Sequence, residues 1–77
     1  MPCMSIEQIA QAIEVHLRVN PHAKDTAEGI HLWWIDWQGA PESVTLTQAA
    51  LELLETQGIM VCVVAGRREL WSAAPRT

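Results

Sequence analysis

The sequence predicts a small α+β domain: three helices followed by a C-terminal antiparallel β-hairpin. Three observations carry that expectation. Capping signals at Ser5, Asp25 and Thr45 each open a stretch whose apolar residues recur at steps of three and four. Gly58 closes the last of these stretches, as a left-handed C-cap does. Beyond it the pattern changes to an apolar, β-branched run, a short turn and an alternating run, which is a hairpin signal.

The first element follows from Ser5-Ile6-Glu7-Gln8, a capping box in which hydroxyl and amide side chain each satisfy a backbone N–H. Ile6, Ile9, Ala10, Ile13 and Leu17 form one apolar stripe, and Glu14 and Arg18 lie an i,i+4 step apart in the favourable order. Asn20-Pro21 stops the helix, since proline disfavours helical geometry in the residue before it. The predicted span is 6–18, and Pro21-His22-Ala23-Lys24 reads as a link.

Asp25 as cap and Glu28 three residues on open a second helix, predicted over 26–36. Ala27, Ile30, Trp33, Trp34 and Trp37 recur at helical spacing. Gly29 inside it costs about 1 kcal/mol relative to Ala, so a close approach by another helix, the first, is expected there. Gly39-Ala40-Pro41 ends the element. Thr45-Leu46-Thr47-Gln48 opens the third helix, predicted over 46–57, with Leu46, Ala49, Ala50, Leu53 and Leu54 in phase and Leu51 on a second face. Strands are expected at 59–64 and 68–73 around the turn Ala65–Arg68, and residues 74–77 read as a loose tail.

Composition bounds the function. The 77 residues suffice for a single domain over 1–77, with an ordered part of about 5–73. Hydrophobic residues make up 49%, enough for one core, so global disorder is not expected. The net charge of −4 works against non-specific affinity for nucleic acid or anionic membrane, both of which need a positive field. No apolar run approaches the roughly 20 residues that cross a bilayer, and Met1-Pro2-Cys3-Met4 has no charged or apolar secretory region. A cytoplasmic setting follows as the expectation. There Cys62, in an apolar run, is a small core residue, and Cys3 a free thiol in a frayed tail.

Helix, helix, helix and hairpin is the order of the winged helix-turn-helix family, and the C-terminal half resembles that family. Its third helix of the form apolar–x–x–Ala-Leu–x–x–Leu running through a Gly into a strand is matched by Thr47, Ala50, Leu51, Leu54, Gly58 and Ile59. Arg67 and Arg68 fall at the wing tip and Trp71 on the return strand. Thr47 is polar where the family is apolar, with Leu46 as the neighbour that can fill that role. The stretch Asp25–Ile30 with Trp33-Trp34 is similar to one in small bacterial proteins of the same shape. The matching residues are core positions, so the resemblance implies a fold rather than an activity.

The third helix is the element that would enter a DNA groove. Its expected outward residues are Thr47, Gln48, Glu52, Glu55, Thr56 and Gln57, two of them acidic and none basic. Arg67 and Arg68 could contact an anion, although two adjacent charges in a turn are most often simple solvation. His16, His22 and His31 are spaced six and nine apart, which fits no compact metal pattern. No nucleophile with a base, phosphate loop or paired carboxylates stands out, so no catalytic residue, metal or cofactor is expected.

The chain has four Trp and no Phe or Tyr, and Trp33, Trp34 and Trp37 fall within five residues. Trp33 and Trp34 point about 100° apart on a helix, so both cannot face one narrow seam. Either all three rings wedge between helices and hairpin, or at least one is exposed, joins Leu32 or Ile35 in a patch, and anchors a partner. Trp is enriched among interface hot spots. The reading preferred from sequence is a non-enzymatic interaction module that binds a protein or a second copy through Trp33, Trp34 and Trp37. The alternative is a DNA-binding regulator acting as a dimer.

Overall fold

The computed structural model describes residues 4–37 and 39–75. Helix α1 spans Ile6–Val19. Its capping box forms as expected: the Ser5 hydroxyl accepts from the Gln8 amide at 3.1 Å, and the Gln8 side chain accepts from the Ser5 amide at 2.8 Å. Ile9, Ala10, Ile13 and Leu17 turn inward. Arg18 meets Glu14 at 3.9 Å on the exposed side, worth only about 0.3–0.5 kcal/mol.

The last residue read as link and the first read as helix cap form a strand, β1, Lys24–Asp25, that pairs antiparallel with Ser72 and Trp71 of the C-terminal hairpin. Two residues carry no periodicity, and the open side of the last strand creates this one. Because Asp25 belongs to the strand, the cap of the next helix is Thr26 and not Asp25. The Thr26 hydroxyl accepts from the Gly29 amide at 3.1 Å, while Asp25 Oδ1 accepts from the Thr26 amide at 2.8 Å. A Cβ on Gly29 would run into the Asp25 carboxylate. The close approach expected of α1 therefore comes from Asp25.

Helix α2, Ala27–Gly29, passes directly into a widened π turn, Ile30–Trp34, and helical geometry ends at Ile35 with φ −115° and ψ 128°. The second helix is thus shorter than the predicted 26–36 and not α-helical throughout.

Helix α3 spans Val44–Thr56 and begins earlier than predicted, because Ser43 rather than Thr45 caps it: the Ser43 hydroxyl accepts from the Thr45 amide at 3.2 Å. Its end is as expected. Gly58 takes φ +77°, its amide donates to Glu55 O at 3.0 Å, and the Ile59 amide donates to Leu54 O at 2.9 Å. That pair of bonds is a Schellman closure, which a residue with a Cβ resists.

Strands β2, Met60–Ala65, and β3, Arg68–Ala73, pair from Met60↔Ala73 to Ala65↔Arg68 around Gly66-Arg67, with Gly66 at φ +65°. A positive φ at the first position of a two-residue loop matches the twist of the strands it joins. The Ala74 amide donates to Ile59 O at 2.9 Å, so the ladder runs one pair into what reads as tail. The sheet order is β1-β3-β2.

Three helices and a C-terminal hairpin in a three-stranded sheet make an α+β domain with winged-helix-like element order. The core gathers Ile9 and Ile13 of α1, Ile30, Leu51 and Leu54 of α3, Met60 of β2, and Trp71 from the central strand. Full burial of each such side chain contributes about 1.5–3 kcal/mol. Among the described residues no helix is long and apolar enough to cross a membrane. Cys62 is a free thiol, and Cys3 lies outside the described residues.

Candidate partner-binding site

The segment Ile30–Trp37 sorts its side chains by direction. Ile30, His31 and Ile35 are buried, whereas Leu32 is 52% and Trp33 78% exposed. Trp34 is half-buried, and its indole stacks on the His16 imidazole of α1 at a centroid distance of 4.4 Å and an interplanar angle of 20°. Trp37 is also half-buried. Its Nε1–H donates to His31 O at 2.7 Å, and its ring tilts against the His31 imidazole at 5.0 Å.

The three tryptophans read together from the sequence therefore divide. Trp34 and Trp37 pack against the core and brace the turn, and Trp33 stands in solvent. Leu32 adjoins it, while Ile35, the other residue expected in the patch, points inward. Adjacent residues on a helical turn diverge by roughly 100°, so seating Trp34 on His16 directs Trp33 away from the body.

The turn is tied to α3 by a buried polar pair. His31 Nδ1 and Thr47 Oγ1 lie 2.6 Å apart, and both residues are buried. Thr47 does not face outward on α3, as expected from the sequence; it is buried in the core. The signal was present, because Thr47, Ala50, Leu51 and Leu54 form an i, i+3, i+4, i+7 stripe. A hydroxyl is tolerated there because it has the imidazole as partner. Among the described residues no buried side-chain nitrogen or oxygen lacks a hydrogen bond.

The wing residues Arg67 and Arg68 are exposed at the hairpin tip and make no ion pair among the described residues. They border an open depression shared with Glu28 and Glu69, whose carboxylates oppose an incoming anion. The outward face of α3 presents Glu52, Glu55, Thr56 and Gln57, and Gln48 Nε2 donates to Glu52 at 3.2 Å. No lysine or arginine occurs on that helix.

The histidines are dispersed: His16 lies under Trp34, His31 on Thr47, and His22 in solvent. Among the described residues no three His, Cys, Asp or Glu side chains converge as a metal site would require. Burial raises the pKa of the half-buried Cys62 thiol, and the carboxylates of Glu69 and Glu55 raise it further. A thiol held protonated in this way is a poor nucleophile near neutral pH.

The chain matches no protein-family model, no curated protein and no solved structure.

Proposed function

We propose that this chain is a non-enzymatic, winged-helix-like interaction module that holds a protein partner through Trp33 and Leu32. The observation that carries the reading is the solvent position of Trp33, 78% exposed on a turn whose other two indoles are fixed against the body. A large ring held outward on a braced support loses little conformational freedom on binding, which is how hot-spot anchors work. Trp34 and Trp37 serve the site by positioning the turn.

The test is a photo-crosslinking residue at Leu32, introduced in the native host, followed by reconstitution with the captured protein after purification. Trp33→Ala should keep the far-ultraviolet circular dichroism of the parent and weaken the reconstituted complex by about 2 kcal/mol or more. Unchanged affinity in that variant would end the proposal.

The DNA-binding alternative is favoured by one observation, the two adjacent arginines at the hairpin tip, which make no ion pair among the described residues. Against it stand the acidic outer face of α3 and the net charge. Two wing contacts fall short of the several neutralised phosphates on which DNA affinity rests. A gel-shift titration against the gene's own upstream region at about 150 mM salt should give no specific complex tighter than micromolar. A shifted band at nanomolar protein would favour the alternative.

A further inference from the structure

We infer that the free edge of β2 is a self-pairing surface, through which two copies join antiparallel across a two-fold axis into one six-stranded sheet. The sheet order β1-β3-β2 leaves β2 with β3 on one side and no strand on the other among the described residues. Edge strands are normally guarded by charge, proline, a bulge or a covering element. Met60-Val61-Cys62-Val63-Val64-Ala65 has no charged residue, no proline and an unbroken register with β3. Val63 and Val64 point to opposite faces of the sheet, yet are 53% and 69% exposed. The outer half of the hairpin is thus uncovered on both faces.

Pairing parity selects the register. Ala65 and Arg68 close the two-residue turn, and the Ala74 amide bonds Ile59 O. Residues 59, 61, 63 and 65 therefore direct their backbone groups toward β3, and Met60, Cys62 and Val64 direct theirs toward the free edge. Met60 is fully buried, which leaves Cys62 and Val64. Two copies use both residues fully when Cys62 of one faces Val64 of the other, giving four backbone hydrogen bonds. Val63 then meets its own equivalent on the two-fold axis.

The charges suit a second copy. An uncharged strand pairs with itself without setting like charges opposite one another. In this register the tip bearing Arg67 arrives opposite Ile59 of the other copy, directly after the last turn of α3. That turn carries the exposed Glu55, close enough to β2 to perturb the Cys62 thiol, together with the negative end of the helix dipole. Arg67, which makes no ion pair among the described residues, gains an acidic neighbour in the pair, and the contact is made twice by symmetry. Pairing over so few residues buries less than the roughly 1,200 Å² of a stable complex, so the dimer is weak and concentration-dependent.

The experiment uses the full chain. In a Cys3→Ser, Cys62→Ala background, Val63→Cys places two thiols across the axis at a Cα separation of about 4.5 Å, within disulfide reach. Val61→Cys holds its two thiols about 13 Å apart along the strands. Mild oxidation should crosslink the first at least about tenfold faster than the second. In the parent, sedimentation velocity near millimolar concentration should show a reversible dimer. Val63→Lys, at a site more than half exposed and so compatible with folding, should weaken it about tenfold or more by facing like charges, and Trp33→Ala should leave it unchanged. A parent that stays monomeric, with Val63→Cys crosslinking no faster than Val61→Cys, overturns the inference. So does a dimer that Trp33→Ala abolishes and Val63→Lys spares. A monomer whose Cys62–Val64 amide resonances shift only when another protein is added also overturns it, and gives the edge to an extended segment of that protein.

Discussion

Helix α1 and the tryptophan turn carry the same kind of sequence signal and fold differently. In α1 every inward position is aliphatic or Ala, the cap is local, and a proline follows the end, so 3.6-residue periodicity fixes the outcome. In the turn half of the apolar positions are indoles, the expected cap residue Asp25 is drawn into a strand, and a histidine must reach a threonine on another helix. Regular α geometry lasts three residues there before the backbone widens. Uniform aliphatic packing tolerates the default helix, whereas specific polar and aromatic contacts select the backbone that satisfies them.

That contrast can be tested by substitution, and the largest effect belongs to the regular helix. Ile13→Ala removes a fully buried side chain between α1 and its neighbours and should cost about 2–5 kcal/mol in urea denaturation. An effect under about 1 kcal/mol would mean that the α1 stripe is not the core.

Next comes the buried pair. Thr47→Val keeps the shape of the side chain and removes the hydroxyl, leaving His31 Nδ1 buried without its partner. The expected loss is about 1–3 kcal/mol, with a shift in the indole resonance of Trp37, which bonds the same residue's carbonyl. If stability holds and that resonance does not move, His31 is not what ties the turn to α3.

A smaller effect, of diagnostic sign, falls at the start of the turn. Ala in place of Gly would ordinarily stabilise a helix by about 1 kcal/mol. Gly29→Ala should instead destabilise by a similar amount, because the added methyl displaces an Asp25 carboxylate that is bonded to the Thr26 amide. In an Asp25→Ala background the same substitution should become neutral or stabilising. A double-mutant cycle with no coupling between the two sites would break this account.

The smallest change in stability is expected at the proposed anchor. Trp33→Ala removes a side chain that already faces water and should alter folding by no more than about 0.5 kcal/mol. Trp34→Ala loses its stacking on His16 and should cost at least about 1 kcal/mol. Equal costs would place both rings in the same environment and remove the distinction on which the site rests.

Much of this architecture was legible because its causes are local. The Ser5 box, the Pro21 stop, the Gly58 closure and the Gly66 turn each act within a few residues, and the sequence places them in view. The third helix starts at Val44 because the Ser43 hydroxyl reaches an amide two residues on, a competition between neighbouring caps that spacing alone does not resolve. Of the candidate site, the crowding of tryptophans was visible, as was the impossibility of facing Trp33 and Trp34 the same way. Which ring would be free was not, because that depends on His16, 18 residues from Trp34 along the chain.

The sequence by itself determined three helical segments followed by a hairpin, their order and the apolar stripe of α1, since periodicity and capping are properties of contiguous residues. Tertiary structure alone decided the rest. It made a strand of Lys24–Asp25 by offering them the open side of β3, buried Thr47 by supplying an imidazole, and turned Trp33 outward by seating Trp34 on α1. Each of these needs a partner distant in the chain, and a polar or aromatic side chain commits to a direction only when that partner is in place.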